Sequence, residues 1–264
     1  MVSEKSTNLL SDVFESKYAN IYVKYAASTA GRDKAYRFIQ YFSRFLVYTL
    51  NQQTALKPTA TFIAALSKIQ ASMTETRKIL RLGKFIDSFK LALAAINNPA
   101  SDELAKLLSS VSKLFMGMYV ICDGAGWLNS TGLIKLKNPQ QLSKVSMRCW
   151  LTSIVLSFLN GLYSKYALNL RRVAIASTSS AYSNKSIAET VDMDKDTLVL
   201  IAKEKDTINA KINAVNNQLL VDAVDMIIPV GILGLVNINN GVIGAAGMIT
   251  SILGANDLIS KISP

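Results

Sequence analysis

The chain has 264 residues, half of them hydrophobic and only 18% charged, with 29 Lys and Arg against 18 Asp and Glu for a net charge of +11. It contains no histidine, which removes the commonest general base and metal ligand. Its two cysteines, Cys122 and Cys149, sit in neither a CxxC nor a zinc spacing and read as buried reduced thiols.

Residues 1–100 carry 14 basic and 6 acidic side chains, whereas residues 101–264 carry 15 and 12. A basic front half calls for an anionic partner, phospholipid or nucleic acid. No nucleic-acid-binding motif accompanies the charges, which stand beside apolar helical faces, so the expected partner is phospholipid and not nucleic acid. Walker A, paired-carboxylate and serine-centred signatures are absent. No catalytic residue, metal site or cofactor is expected, and the chain reads as a non-enzyme. The polar N-terminus lacks the apolar run of a cleaved secretory signal.

The expected organisation has four parts. Residues 1–98 form a basic amphipathic helical region, residues 99–176 form central helices with a hydrophobic segment at 149–164, and residues 177–197 form a polar linker. Residues 198–264 then carry an amphipathic helix and a glycine-rich hydrophobic segment at 226–256.

A short helix carries Phe14, Tyr18, Ile21, Tyr22 and Tyr25, and Gly31 breaks its pattern. From Arg32 to Leu50 the apolar positions Ala35, Phe38, Ile39, Phe42, Phe45 and Leu46 follow helical spacing. Lys34, Arg37, Gln40 and Arg44 form the other face, where Asp33 can pair with Arg37 at i+4.

The stretch Thr59 to Leu93 carries two apolar stripes. Phe62, Leu66, Ile69, Met73 and Leu80 share one face, and from Ile79 the stripe turns toward Leu82, Ile86 and Phe89. Arg77, Lys78, Arg81 and Lys84 supply four basic residues with no acid between them. Such a helix can lie flat in a membrane interface with its charges on anionic headgroups. It can equally pack on a soluble core. The rotating stripe suits two different partners, with Arg77 to Leu93 expected to meet lipid and Phe62 to Met73 a protein contact.

Asn97-Asn98-Pro99 ends this unit, and Ser101-Asp-Glu-Leu opens another helix with an N-cap signal. That helix is expected to stop at Asp123-Gly124-Ala-Gly126. Cys149 to Ser164 is uncharged, slightly short for a membrane span, and fits either an inserted segment or a buried core helix. Residues 177–197 read as a loop in which Asp192, Asp194 and Asp196 alternate without the glycine and terminal glutamate of a calcium loop.

Met226 to Asn256 is uncharged and punctuated by Pro229 and six glycines, with Asn237, Asn239 and Asn240 in its middle. Gly241, Gly244 and Gly247 are expected to let helices approach closely. The segment fits one span or two half-length helices that dip in and return. The fold class is therefore all-α, a helical membrane-associated protein with amphipathic helices and one to three hydrophobic membrane segments.

Three islands together resemble one family. The first holds Gly31, Arg32, Asp33, Lys34, Arg37, Gln40 and Tyr41; the second spans Arg77 to Lys84; the third is the glycine-rich tail through Gly254. They look like the peroxin-11 family. That resemblance implies a protein of the peroxisomal membrane that elongates peroxisomes before fission and promotes their proliferation. It further implies homo-oligomers, and a helix that binds and tubulates anionic phospholipid membranes through residues matching Arg77, Lys78, Ile79, Arg81, Leu82, Lys84, Ile86 and Phe89. Association with dynamin-related fission machinery and passage of metabolites also follow from the resemblance. The alternatives are an oligomeric pore or metabolite conduit, with Asn237, Asn239 and Asn240 as candidate lining, and a scaffold recruiting fission machinery.

Overall fold

The computed structural model describes residues 14–53, 60–99, 102–188 and 195–263, the side chains of 178–198 excepted. Eight helices and no strand occur among these residues: α1 Lys17–Ala27, α2 Thr29–Gln52, α3 Ala60–Arg81, α4 Lys84–Ile96, α5 Glu103–Ser130, α6 Pro139–Ala188, α7 Lys195–Ile232 and α8 Asn240–Ile262. The chain is all-α.

Local chemistry sets the boundaries. The first break falls at Ser28, not at Gly31: the Ser28 hydroxyl accepts from the Gly31 amide at 2.9 Å and caps α2. Gly31 sits inside the first turn, where any Cβ would strike the Tyr25 carbonyl. Asp102 caps α5 by accepting from the Ala105 amide at 2.9 Å. Pro139 opens α6, a position where a missing N–H costs nothing.

Thr59–Leu93 is not one helix. The chain turns at Gly83, whose φ of 81° only glycine adopts without strain, so the two apolar stripes belong to two helices, α3 and α4. Residues 54–59, which hold the start expected at Thr59, lie outside the described residues. The helix through Asp123 does not stop there: α5 continues to Ser130, because its glycines can be accommodated within a packed helix. The polar stretch after residue 176 continues α6 as far as Ala188, since neither glycine nor proline interrupts it. The aspartate alternation at 192–196 falls largely outside the described residues.

The uncharged tail is broken in the middle. Helix α7 ends at Ile232, Gly234 turns at φ 69°, and Asn239 caps α8 by accepting from the Val242 amide at 2.9 Å. Neighbours in space form a circuit in which α3 packs on α2, α2 on α8, α8 on α7, α7 on α6, α6 on α5, and α5 on α4 and α3. Contacts therefore cross the boundaries that composition suggested, most plainly where α2 of the basic front half lies along α8 of the tail.

Among the described residues four helical segments are long and apolar enough to cross a membrane: Glu103–Ser130, Pro139–Ser177, Val199–Ile232 and Asn240–Ile262. The sequence suggested one to three such segments, and α5 qualifies as well. Where these helices touch, small residues and hydroxyls fill the seams. The Ser112 hydroxyl donates to the Ser153 carbonyl at 2.9 Å between α5 and α6, and the Ser157 hydroxyl donates to Asp222 at 2.7 Å between α6 and α7.

The interior mixes apolar with polar and charged side chains, and much of the exterior is apolar. Arg37, Ser43, Arg77, Asp222, Asp225 and Thr250 are buried, whereas Ile39, Phe42, Leu107, Met118, Val155 and Ile252 are exposed. A water-soluble fold places these classes the other way round. A small apolar core survives around Tyr41, Tyr119, Trp150, Ile154, Ile228 and Ile243.

Candidate functional site: a buried charge network beneath an exposed apolar edge

Helix α2 supplies the centre of the site, and its polar face points inward. Arg37, 7% exposed, donates from Nη2 to Asp225 on α7 at 2.5 Å, and its guanidinium lies over the Tyr41 and Trp150 rings. Asp33 therefore does not pair with Arg37. It accepts instead from Arg77 Nε at 3.0 Å, while Arg77 Nη1 donates to Gln40 at 2.7 Å. One turn further along α3, Arg81 donates to the Tyr119 hydroxyl at 2.6 Å and to Asp123 at 2.7 Å, both on α5. Tyr119 in turn stacks on Trp150 of α6, with ring centres 5.6 Å apart.

Electrostatics favour the ionised forms of Asp33, Arg37 and Arg81. Burial pushes the Asp33 carboxyl up, but the Arg77 and Arg81 guanidiniums outweigh it and leave the group below its ordinary value. Burial opposes charge on Arg81, and Tyr119 and Asp123 overcome that opposition and raise its pKa. Burial is likewise the largest single effect on Arg37 and opposes its charge, and Asp225 together with its other neighbours overcomes it and raises the pKa.

All three sequence islands converge here. The first contributes Asp33, Lys34, Arg37, Gln40 and Tyr41, and the second contributes Arg77 and Arg81. From the third, Gly247 lies against the Tyr41 ring, Gly244 against the backbone of Phe45, and Gly241 against Tyr48. A Cβ at Gly244 would come within 2.8 Å of the Phe45 amide nitrogen, so these glycines set the distance between α2 and α8. Gly254 lies beside the Lys34 side chain. Arg32 alone among the charged residues of the first island is exposed, with a long contact to the Ala27 carbonyl.

The residues expected to meet lipid separate into two groups. Arg77 and Arg81 do not form an open cationic face, because aligned carboxylates draw both inside, to α2 and α5. Lys78 pairs with Glu75 at 2.6 Å, and Phe89 packs against Gly117 of α5. Ile79, Leu82 and Ile86 are exposed, and the apolar edge continues through Leu91, Leu93 and Ile96.

Sequence reasoning missed the pairing of Asp123, Asp225, Tyr119 and Trp150 with these arginines. A signal for the two aspartates did exist: each is an acid set in or beside a strongly apolar run, and such a charge needs a basic partner. Among the described residues no group of three or more His, Cys, Asp or Glu side chains could hold a metal ion.

Residues 19–259 match the family model described as peroxisomal biogenesis factor 11. The chain is 30% identical to peroxisomal membrane protein PMP30B of Candida boidinii, over 89% of this chain and 92% of that protein. It is 25% identical to human peroxisomal membrane protein 11A, over 88% and 93%. It is also 22% identical to peroxisomal biogenesis factor 11 of Schizosaccharomyces pombe, over 91% and 94%. No solved structure matches it. With the match running through nearly the whole chain and all three islands meeting in one network, this protein belongs to the peroxisomal biogenesis factor 11 family and is a protein of the peroxisomal membrane.

Proposed function

We propose that the chain remodels the peroxisomal membrane by laying the outer edge of α3 and α4 into one leaflet, elongating the organelle ahead of fission. The observation that carries this reading is the exposure of Ile79, Leu82, Ile86, Leu91 and Leu93 on helices that are not themselves candidate spans, next to a bundle that has four. Ile86 is 50% and Leu93 60% exposed, so each has about half a side chain to bury, roughly 1 kcal/mol apiece. Lys90, exposed on α4, adds attraction to an anionic surface. Arg77 and Arg81 act differently in this reading: they anchor α3 to the bundle so that insertion strains the membrane and not the hinge.

Reconstitution of the full chain into anionic liposomes tests the mechanism by electron microscopy. Ile86→Glu with Leu93→Glu is expected to abolish tubules while helical content is kept; tubulation equal to wild type would sink the proposal. On the same reading the chain forms homo-oligomers through the apolar outer faces of α5 to α8 and works with dynamin-related fission machinery. Cross-linking in native membranes that traps only monomers would count against the first. Unchanged recruitment of fission proteins in cells lacking the chain would count against the second.

A metabolite conduit is the second reading, and a polar cavity among the helices favours it. The asparagines do not supply its lining in this conformation: Asn239 caps α8, Asn240 accepts from Arg44, and Asn237 lies exposed in the connecting loop. Planar-bilayer recordings separate the readings, since a conduit must conduct in flat membranes where curvature plays no part.

A further inference from the structure

Helix α1 is a helix without a core. None of its eleven residues is buried, and it packs only along one side, on α2 and α8. Isolated helices shorter than about 12–15 residues are marginal in water, so packing this thin leaves α1 in need of a further partner.

Its outer face is aromatic. Tyr18 is 83% and Tyr22 70% exposed, four residues apart on one side, and exposed Phe14 continues the same stripe. Lys17 and Lys24 are exposed beside the rings, and no acid occurs between Lys17 and Arg32. A cluster of exposed rings marks a surface that meets something other than water.

The fold sets the depth of this face. Helices α2 and α8 run antiparallel, with Tyr48 against Gly241, Tyr41 against Gly247 and Lys34 against Gly254. The first turn of α2 therefore lies beside the last turns of α8, the candidate span whose uncharged run ends at Asn256. Asp257 and Lys261 follow as an exposed ion pair, which marks where α8 meets water. Ser28, extended in its backbone, ends α1 directly before α2 begins, so α1 stands at the same boundary.

That boundary is where the headgroups of a bilayer lie. Tyrosine suits it, with the ring among the upper acyl segments and the hydroxyl among headgroups and water, while lysine stems carry their charge to anionic phosphates. Continuity with the end of a span, and basic charge uninterrupted by an acid, select phospholipid as the occupant. We propose that α1 is an interfacial anchor, with Tyr18 and Tyr22 inserted among the phospholipids around the end of α8. The anchor is separate from the α3–α4 edge and holds the depth of the α2–α8 pair whether or not that edge tubulates a membrane.

The test uses the full chain in vesicles of phosphatidylcholine and phosphatidylserine, with a carbene precursor attached either to the upper acyl chain of a phospholipid or to a water-soluble carrier. Trypsin then releases residues 18–24, which hold both tyrosines. The lipid-attached probe is expected to label this peptide more heavily than the soluble one. Tyr18→Ser with Tyr22→Ser should reverse that order, the ratio falling by about tenfold or more. Tyr18→Trp with Tyr22→Trp should keep it. Ile86→Glu with Leu93→Glu should leave the ratio unchanged, which separates this anchor from the tubulating edge. Heavier labelling of wild type by the soluble probe overturns the proposal, as does an unchanged ratio in the double-serine variant. Labelling by neither probe means that protein covers the face, and overturns it too. Should the serine variant lose helicity, the wild-type ratio decides, since it needs no substitution.

Discussion

Replacing Arg77 with methionine distinguishes a structural anchor from a headgroup contact. The Arg77 guanidinium bonds Asp33 at 3.0 Å and Gln40 at 2.7 Å, and the Arg77 and Asp33 side chains are 9% and 16% exposed. Methionine keeps the apolar stem and removes every donor, so Asp33 and Gln40 lose their partner in a buried place. Breaking a buried ion pair from one side costs about 3–5 kcal/mol. The lower end applies here, because Arg81 and Lys34 still act on Asp33. Removing the carboxylate as well, in Asp33→Asn/Arg77→Met, should return about 1–3 kcal/mol of that loss. A headgroup contact makes a different forecast, about 1 kcal/mol of vesicle affinity lost with stability unchanged. Thermal unfolding of the full chain in detergent, followed by circular dichroism, reads the first quantity, and flotation with anionic vesicles reads the second. The reasoning fails if Arg77→Met unfolds within about 0.5 kcal/mol of wild type while its vesicle affinity drops.

Through the Asp33–Arg77 pair, acid should loosen α3 only at low pH. The Asp33 carboxyl is held below its ordinary value, so the fold binds fewer protons than the unfolded chain. Its contribution is complete above the unfolded pKa, about 3.9, and is lost as pH falls through the lower folded value. Limited proteolysis of α3 should therefore be unchanged between pH 7 and pH 5, and release anywhere in that window would contradict the pairing. Gly247→Val forces a side chain into the Tyr41 ring and should destabilise the α2–α8 contact by about 1–3 kcal/mol, read as a lowered Tm in detergent. An unchanged Tm would mean that α2 and α8 do not approach as closely as described.

The sequence by itself determined that the elements are helices and the kind of solvent they suit. Helical spacing, capping residues and long uncharged runs were enough for an all-α membrane chain, and three residue islands were enough for its family. The apolar edge at Ile79, Leu82 and Ile86 was also legible, because a stripe repeated at helical spacing stands out against basic neighbours. Periodicity, however, gives a helix two faces without saying which one points inward. Beside water the apolar face turns in; beside lipid the polar face can turn in wherever it finds partners.

Only the tertiary structure supplied those partners. Asp225 lies 188 residues from Arg37 and Asp123 lies 42 from Arg81, separations at which no local pattern operates. Once they meet, buried carboxylates claim the arginines that the sequence assigned to headgroups, since a charge pair in a confined interior is stronger than one at a hydrated surface. The turn at Gly83 then lets Arg77 and Arg81 reach α2 and α5 from one helix while Phe89 packs on Gly117 from the next.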